Sequence, residues 1–270
     1  DRHVHVAGKA QVTAGAAIDA ALDRLQLVDD LHRPHLRRAG QRARGEGGAQ
    51  HVEVAHAVDE QPLDVADDVH HVRVALDGEG LMLDGHVYQA LGDGSVVEPP
   101  DNATAPFWVS AEFQADRSAT IDSVNSWDDL CAQIDKLRNS ANLFAAIRID
   151  GVFDEIHYRV ACKSAPGTDL VTATSHQAEF RLQNLKGTLL GFWSPTYART
   201  FNIPGYHLHL LSGDHQHGGH VLGIRAKNLK LQVMDANNVF MALPESPNFL
   251  KADLSGDPSA ALHKAEGASS

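Results

Sequence analysis

The sequence predicts a strand-rich α+β fold, and three observations support this class. From residue 76 onward, short apolar runs alternate with turn-forming Gly, Asp, Asn and Pro residues, as in a succession of short β-strands. Only one segment, Ser126–Arg138, has a clear helical pattern. A mostly parallel sheet needs a crossover helix for nearly every strand, and the sequence offers too few helices for that. We therefore expect mixed or antiparallel sheets.

The strands are predicted from these apolar runs in chain order. Leu81–Tyr88 contains two short runs on either side of the turn-forming pair Asp84-Gly85, and Phe107–Phe113 is the next run. A second turn of this kind is expected at Asp150-Gly151. The remaining predicted strands are Leu143–Ile149, Ile156–Cys162, Gly187–Phe192, Tyr206–Leu211, His220–Ala226 and Leu229–Met234.

The helix at Ser126–Arg138 begins with a capping signal. Ser126 is followed three residues later by Asp129, a capping-box spacing with Asp in place of Glu. Leu130, Ile134 and Leu137 then follow at helical spacing, so one face of the helix is expected to be buried.

Composition and charge exclude several classes of protein. The 270 residues are 43% hydrophobic and 21% charged, which is typical of a globular chain with a buried core. No apolar run is long enough for a membrane-spanning helix, and no signal-peptide h-region is visible. A net charge of −12 disfavours nucleic acids and anionic membranes as partners. We therefore expect a cytoplasmic protein, with Cys131 and Cys162 as reduced, packed thiols.

Residues 1–75 form an atypical N-terminal segment. Eight of the 17 histidines lie before residue 72, whereas the first aromatic residue is Tyr88. An even spread of aromatic residues would place about five in residues 1–87, which contain none. One interpretation is a natural Ala/Val-rich segment with a helix at Ala16–Leu31; the other is a wrong-frame translation of GC-rich DNA, or a disordered segment. Stop codons in every alternative reading frame would exclude the wrong-frame hypothesis.

Three histidines form a candidate metal site. His207 and His209 alternate along a predicted strand, so their side chains share one face. The turn-forming residues 212–214 and 218–219 allow the chain to reverse and bring His220 beside the first pair. Three imidazoles on one sheet face are a common ligand set for zinc or a similar divalent ion, with a fourth position open for substrate.

Other interpretations of these histidines are weaker. A single histidine on a strand is more often a surface or hydrogen-bonded core residue than a ligand, and only the third histidine makes a metal site the better interpretation. A cupin-like metalloenzyme would place a Glu three or four residues after the second histidine, where this chain has Ser212 and Gly213. His215 and His217 lie in the predicted turn and are expected to face solvent.

Residues 76–270 resemble the α-acetolactate decarboxylase family in a series of short motifs with matching order and spacing. These motifs are Leu76-Asp-Gly-Glu79, Leu83-Asp-Gly85, Thr104-Ala-Pro-Phe107, Ile149-Asp-Gly-Val-Phe153, Gly187-Thr-Leu-Leu-Gly-Phe192, Pro195-Thr-Tyr197, Pro204-Gly-Tyr-His-Leu-His209, Gly218-Gly-His-Val-Leu222 and Leu243-Pro244. The resemblance implies a two-lobed fold, with the remainder of the first lobe at about 76–140 and a metal-binding lobe at about 141–270. It also implies a zinc site on the C-terminal β-hairpin.

The resemblance implies roles for six residues. A zinc ion would be held by His207, His209 and His220, and Arg159 would be the active-site arginine. Two glutamates would complete the site, Glu79 and the C-terminal Glu266. Without the resemblance, Arg159 would be interpreted as a surface ion pair, Glu79 as a turn residue and Glu266 as part of the tail.

The implied reaction is the decarboxylation of (S)-2-acetolactate to (R)-acetoin and CO₂, a carboxy-lyase step in acetoin and butanediol metabolism. Zinc would act as a Lewis acid that stabilises the enediolate, Arg159 would orient the carboxylate, and one of the glutamates would donate the proton. The resemblance also implies a homodimer. The alternative is a catalytically incomplete metal-binding remnant of the family, because residues 1–70 have no recognisable counterpart of the family's N-terminal region.

Overall fold

Two β-sheets carry almost all of the described structure. A computed structural model describes residues 3–8, 50–58, 78–100, 103–163, 177–243 and 250–251. The elements in chain order are β1 (His3–Gly8), β2 (Gln50–Val58), β3 (Glu79–Leu83), β4 (His86–Ala90), β5 (Val96–Val97), β6 (Thr104–Phe113), β7 (Arg117–Val124), α1 (Trp127–Leu137), β8 (Phe144–Ala161), β9 (Gln177–Ser194), a 3-10 helix (Thr196–Thr200), β10 (Gly205–Ser212), β11 (Gly218–Ala236) and β12 (Asn238–Ala242).

The first sheet has seven strands in the order β12-β1-β6-β2-β3-β4-β5. Only the β1–β12 pair is parallel; the other neighbours are antiparallel. Strands β1 and β2 come from the atypical segment 1–75 and lie on either side of β6, and sequence patterning predicted neither of them. The helix that one of the two interpretations places at Ala16–Leu31 lies outside the described residues.

The second sheet has five antiparallel strands in the order β10-β9-β8-β11-β7. Its long strands β8, β9 and β11 contain 18, 18 and 19 residues. The first three residues of β11 also pair with β10, the strand at the edge of the sheet. This end of the sheet is therefore curved, so that β10 pairs with β9 on one side and with β11 on the other. This second pairing is the hairpin that was predicted around residues 212–218.

The helix predicted at Ser126–Arg138 is confirmed. Trp127 is the first helical residue, and the side-chain oxygen of Ser126 accepts a hydrogen bond from the Asp129 N–H at 3.1 Å, as an N-cap does. The Asp129 carboxylate accepts from the Asn125 N–H at 3.0 Å. Leu130 and Ile134 are fully buried, and the helix packs against β7 and β11. Its apolar face therefore covers one end of the five-stranded sheet.

One predicted turn is wrong, and two strands predicted separately are one. Asp150-Gly151 does not end a strand, since both residues pair with β9 inside the continuous strand β8. The Asp150 carboxylate accepts hydrogen bonds from Thr188 and Arg148, and pairing partners on both sides overcome the local preference of Asp-Gly for a turn. The runs 220–226 and 229–234 are likewise one strand, in which a bulge near Asn228 (φ 52°) interrupts the pairing with β8.

The fold class is confirmed at the level of a strand-rich protein with predominantly antiparallel sheets and few helices. Strands β3 and β4 of the first sheet contact β11 of the second, and the buried apolar residues of both sheets form one core. No helix in the described part of the chain has the length and apolar character that a membrane span requires. The division into two lobes stays a prediction.

Candidate metal centre and active site

The three predicted histidines come together on one face of the curled sheet. His209 on β10 lies directly opposite His220 on β11 in the antiparallel register. His207 lies two residues before His209 on the same strand, so the pleat puts both imidazoles on the same side. All three side chains are buried, with exposed fractions of 7% for His207, 0% for His209 and 5% for His220.

The imidazole nitrogens are close enough to share one ion. One ligand nitrogen from each histidine lies within 4.8 Å of the others. The Nε2 atoms of His207 and His209 are 2.9 Å apart, and the three ring centroids are separated by 4.7 to 5.4 Å. Two nitrogens bound to a tetrahedral zinc ion would be about 3.3 Å apart. The donor chemistry and spacing therefore fit a divalent metal ion.

Two glycines allow the strands to approach closely around these histidines. A Cβ on Gly191 of β9 would lie 2.0 Å from the backbone oxygen of His207, and a Cβ on Gly219 of β11 would lie 2.4 Å from the backbone oxygen of Arg159. No side chain fits at such distances without separating the strands. Gly191 and Gly219 thus permit the backbone spacing that brings β10, β11 and β8 together.

Glu79 reaches the histidines from the other sheet. It is the first residue of β3 and is 3% exposed. Its Oε1 accepts a hydrogen bond from the Ala161 N–H at 3.3 Å, and its Oε2 lies 3.9 Å from the Nε2 atom of His209. This carboxyl group therefore lies beside the imidazole cluster and next to the end of β8.

Arg159 on β8 lies next to one of these histidines. It is opposite His220 across the β8–β11 ladder, so the two side chains share a face. The side chain is buried, with 6% exposure, and its Nη1 donates a hydrogen bond to the Oε1 atom of Gln177 at 3.0 Å. Sequence reasoning missed Gln177, because a glutamine at the start of a strand carries no motif.

The structure brings five of the six predicted site residues together. The sixth, Glu266, lies outside the described residues, and its role stays a prediction. His215, expected to face solvent, is exposed in the β10–β11 turn, where its ring contacts the Tyr88 ring at a tilt with the centroids 4.7 Å apart. His217, also expected to face solvent, is half-buried. The turn of the histidine hairpin therefore packs against β4 of the first sheet.

A polar cluster that sequence reasoning also missed lies behind β10. The Arg138 guanidinium stacks 3.8 Å above the Trp193 ring and donates from Nε to the Tyr206 hydroxyl at 2.8 Å. That hydroxyl donates to Asp135 at 2.6 Å, and burial together with this carboxylate raises the pKa of Tyr206 above its usual value. The cluster ties the end of α1 to the strand residue that precedes His207.

Comparison with protein families identifies one clear relationship. The sequence profile described as Alpha-acetolactate decarboxylase matches residues 73–256. A relative of that name from Brevibacillus brevis is 32% identical over 192 residues, which span 71% of this chain and 67% of the relative. Another, from Methylococcus capsulatus, is 36% identical over 193 residues, or 71% and 74% of the two chains.

Two solved structures share this fold. The crystal structure of α-acetolactate decarboxylase from Bacillus subtilis strain 168 superposes with a TM-score of 0.72 and 23% identity, covering 98% of this chain and 99% of that one. A Staphylococcus aureus protein of unknown function similar to α-acetolactate decarboxylase gives a TM-score of 0.75 at 21% identity, covering 98% and 100%. Neither the family profile nor the fold supports the cupin-like alternative.

Proposed function

Because the chain belongs to the α-acetolactate decarboxylase family, a family of carboxy-lyases, we propose that it converts (S)-2-acetolactate into (R)-acetoin and CO₂. The observation that carries the proposal is the burial of three histidines, a glutamate and an arginine at one place, contributed by both sheets. Ionisable residues are rarely buried together unless they bind a ligand or carry out chemistry.

The metal proposed for this site is zinc, held by His207, His209 and His220. Three neutral imidazoles would not reduce the 2+ charge of the ion. A catalytic zinc site of this kind keeps a fourth coordination position open for water or substrate. When bound, the ion would supply a Lewis acid that stabilises the negative charge of the enediolate left by decarboxylation. His209 belongs to this ligand set and also lies beside Glu79. This contact links the metal site to the first sheet.

Arg159 would bind the substrate carboxylate. Its planar guanidinium can donate two parallel hydrogen bonds to a carboxylate and hold it in one orientation. When the bond between the carboxylate carbon and the hydroxyl-bearing carbon breaks, the carboxylate leaves as neutral CO₂ and the bonding electrons stay on the substrate. Arg159 therefore favours binding of the anion and orients the bond that breaks, while its burial excludes competing water.

The enediolate must then receive a proton on one face of the carbon that lost CO₂, and this step gives a single enantiomer of acetoin. Glu79 and Glu266 are the two candidates for the proton donor. Glu79 Oε2 lies beside the histidine cluster at 3.9 Å from His209, while Oε1 is held by the Ala161 N–H. One carboxyl oxygen is thus anchored to the backbone and the other is directed to the site.

The relatives do not favour the alternative of a catalytically incomplete remnant, since each of the two relatives described above is named a decarboxylase. Homodimer formation and a cytoplasmic location remain predictions. Sedimentation of the purified protein would test the first.

An activity assay tests the proposed function. The purified, zinc-loaded protein is incubated with racemic acetolactate, and acetoin and CO₂ are measured with and without a chelator. We expect one acetoin and one CO₂ for each (S)-acetolactate consumed, and loss of turnover after chelation. Absence of acetoin from zinc-loaded protein would refute the proposal.

Replacement of a proposed ligand tests the metal assignment. His207→Ala removes one of three donors, so we expect loss of bound zinc in elemental analysis and activity lower by at least about 100-fold. His86→Ala, at an exposed histidine on β4, is the matched control and should retain both. Full activity in the His207→Ala protein would contradict the ligand assignment.

A further inference from the structure

We propose that Gln177 is a positioning residue for Arg159 and that its neutral side chain is required for binding of an anionic substrate. The inference rests on the proposed function, because it assigns Arg159 to a substrate carboxylate. It adds a residue that the family motifs in this sequence do not include, and a reason why the site selects an anionic substrate.

The geometry places Gln177 next to Arg159 and near the anchor of Glu79, two of the three predicted catalytic side chains. Its Oε1 accepts a hydrogen bond from Arg159 Nη1 at 3.0 Å. In the β8–β9 ladder Gln177 lies opposite Ala161, and the N–H of that residue donates to Glu79 Oε1 at 3.3 Å. Gln177, the first residue of β9, therefore lies where the side chains of Arg159 and Glu79 are held.

The important property of Gln177 is that the atom accepting from Arg159 is a neutral amide oxygen. An amide oxygen orients one guanidinium N–H and adds no negative charge to the site. A carboxylate at the same position would form a charge-assisted pair with the guanidinium, and the substrate carboxylate would then have to compete with it. This competition would be severe here, because Arg159 is buried and charges interact more strongly where water is excluded.

The neighbouring acid on β9 is directed elsewhere. Glu179 lies directly across from Arg159 in the β8–β9 ladder. Its carboxylate nevertheless lies 2.8 Å from the Nε2 atom of His157, on a side chain that is 60% exposed. The strand thus presents an amide to the buried arginine, while its carboxylate contacts a histidine near the surface.

Three variants separate this role from a structural one. Gln177→Glu keeps the shape of the side chain and adds a charge, Gln177→Leu removes the acceptor, and Gln183→Glu adds the same charge at an exposed position of the same strand. We expect the KM for acetolactate to rise about tenfold or more in Gln177→Glu, to rise less in Gln177→Leu, and to stay within about twofold in Gln183→Glu. A structural role predicts the reverse order for the two Gln177 variants, since Glu is nearly isosteric with Gln.

Two measurements make the test specific to the carboxylate. Product inhibition by acetoin, which has no carboxylate, should change less than about twofold in Gln177→Glu. Binding of 2-hydroxy-2-methylpropanoate to the zinc-loaded protein, measured by calorimetry, should weaken about tenfold in the same variant without any turnover being needed. A KM or probe affinity within twofold of wild type in Gln177→Glu, or a larger effect of Gln177→Leu, would overturn the proposal. If Gln177→Glu does not fold, an unchanged KM in Gln177→Leu would overturn it.

The outcomes distinguish this inference from the proposed function. A wild-type protein that binds the hydroxy acid but does not decarboxylate acetolactate would refute the function. If Gln177→Glu still weakened that binding, the role of Gln177 would stand. A wild-type protein that neither binds the probe nor turns over acetolactate would refute both.

Discussion

At the residue scale, burial singles out the candidate site. Among the described residues, nine polar or charged side chains are buried, and five of them are the predicted site residues His207, His209, His220, Glu79 and Arg159. Burying an ionisable group costs stability unless it is paired or bound to a ligand. A cluster of five such groups is therefore best explained by a function that needs them there.

Sequence reasoning identified some of the residues around the site and missed others. A motif can identify a histidine or arginine whose chemistry is unusual on a strand, but Gln177, Tyr206 and Arg138 act only through the contacts they make. Cys131 and Cys162 are both free, as expected. Burial, with nearby Asp residues adding to it, raises the pKa of Cys131 to about 12, so this thiol stays protonated.

Tyr158 is fully buried and stacks on Phe180 with ring centroids 5.2 Å apart. Burial raises the pKa of Tyr158 to about 12, and its hydroxyl has no hydrogen-bond partner among the described residues. Tyr158→Phe removes this polar atom and keeps the ring. We expect the free energy of unfolding to rise by about 1 kcal/mol in urea denaturation, with activity unchanged.

The activity should be unaffected because Tyr158 is adjacent to Arg159 on β8 and so points to the opposite face of the sheet. Tyr158→Ala is the contrasting variant and should be strongly destabilised by the cavity it leaves. A clear loss of stability in Tyr158→Phe would mean that the hydroxyl has a partner.

At the scale of elements, the close approach of β9, β10 and β11 builds the histidine cluster. The β10–β11 hairpin could be predicted because turn-forming residues lie between two runs with alternating histidines. The long continuous strands could not, because Asp150-Gly151 is a turn signal in isolation and becomes part of a strand only when β9 and β11 pair on both sides of β8. Pairing across the sheet is information that a local pattern does not contain.

The glycine at position 191 supplies a prediction at this scale. Gly191→Ala places a Cβ 2.0 Å from the backbone oxygen of His207, so β9 and β10 must separate. We expect a loss of about 3 kcal/mol in the free energy of unfolding and weaker zinc binding, measured by urea denaturation and by a chelator competition titration. Gly213→Ala, where the nearest atom to the added Cβ is 3.4 Å away, is the matched control. Equal effects of the two substitutions would argue against strand separation as the cause.

At the scale of the whole molecule, the site depends on how the two sheets meet. Glu79 belongs to the seven-stranded sheet, whereas the histidines and Arg159 belong to the five-stranded one. Arg148 on β8 donates to Asp84 in the β3–β4 turn at 2.9 Å, which ties the hairpin that begins at Glu79 to the other sheet. Tyr88 and the His215 ring form a second contact between the sheets.

The whole-molecule prediction is that metal binding stabilises the fold. A ligand that binds only the native state at 1,000 times its Kd adds about 4 kcal/mol to the free energy of unfolding. We therefore expect zinc to raise the Tm in thermal denaturation by roughly 5–10 °C, and a chelator to reverse the shift. The His207→Ala protein should show no such shift. An equal shift in that variant would place the stabilising ion elsewhere.

The sequence by itself determined the strand-rich class, the helix α1, the histidine hairpin and the family motifs. Each of these depends on residue types and their spacing within short stretches of the chain. The tertiary structure alone decided that β8 and β11 run unbroken, that β1 and β2 flank β6, and that Gln177 meets Arg159. It also decided that Glu79, 130 positions before His209, lies 3.9 Å from it. These features arise from pairing and packing between distant segments, and the free energy of such contacts depends on the partners that the whole fold supplies.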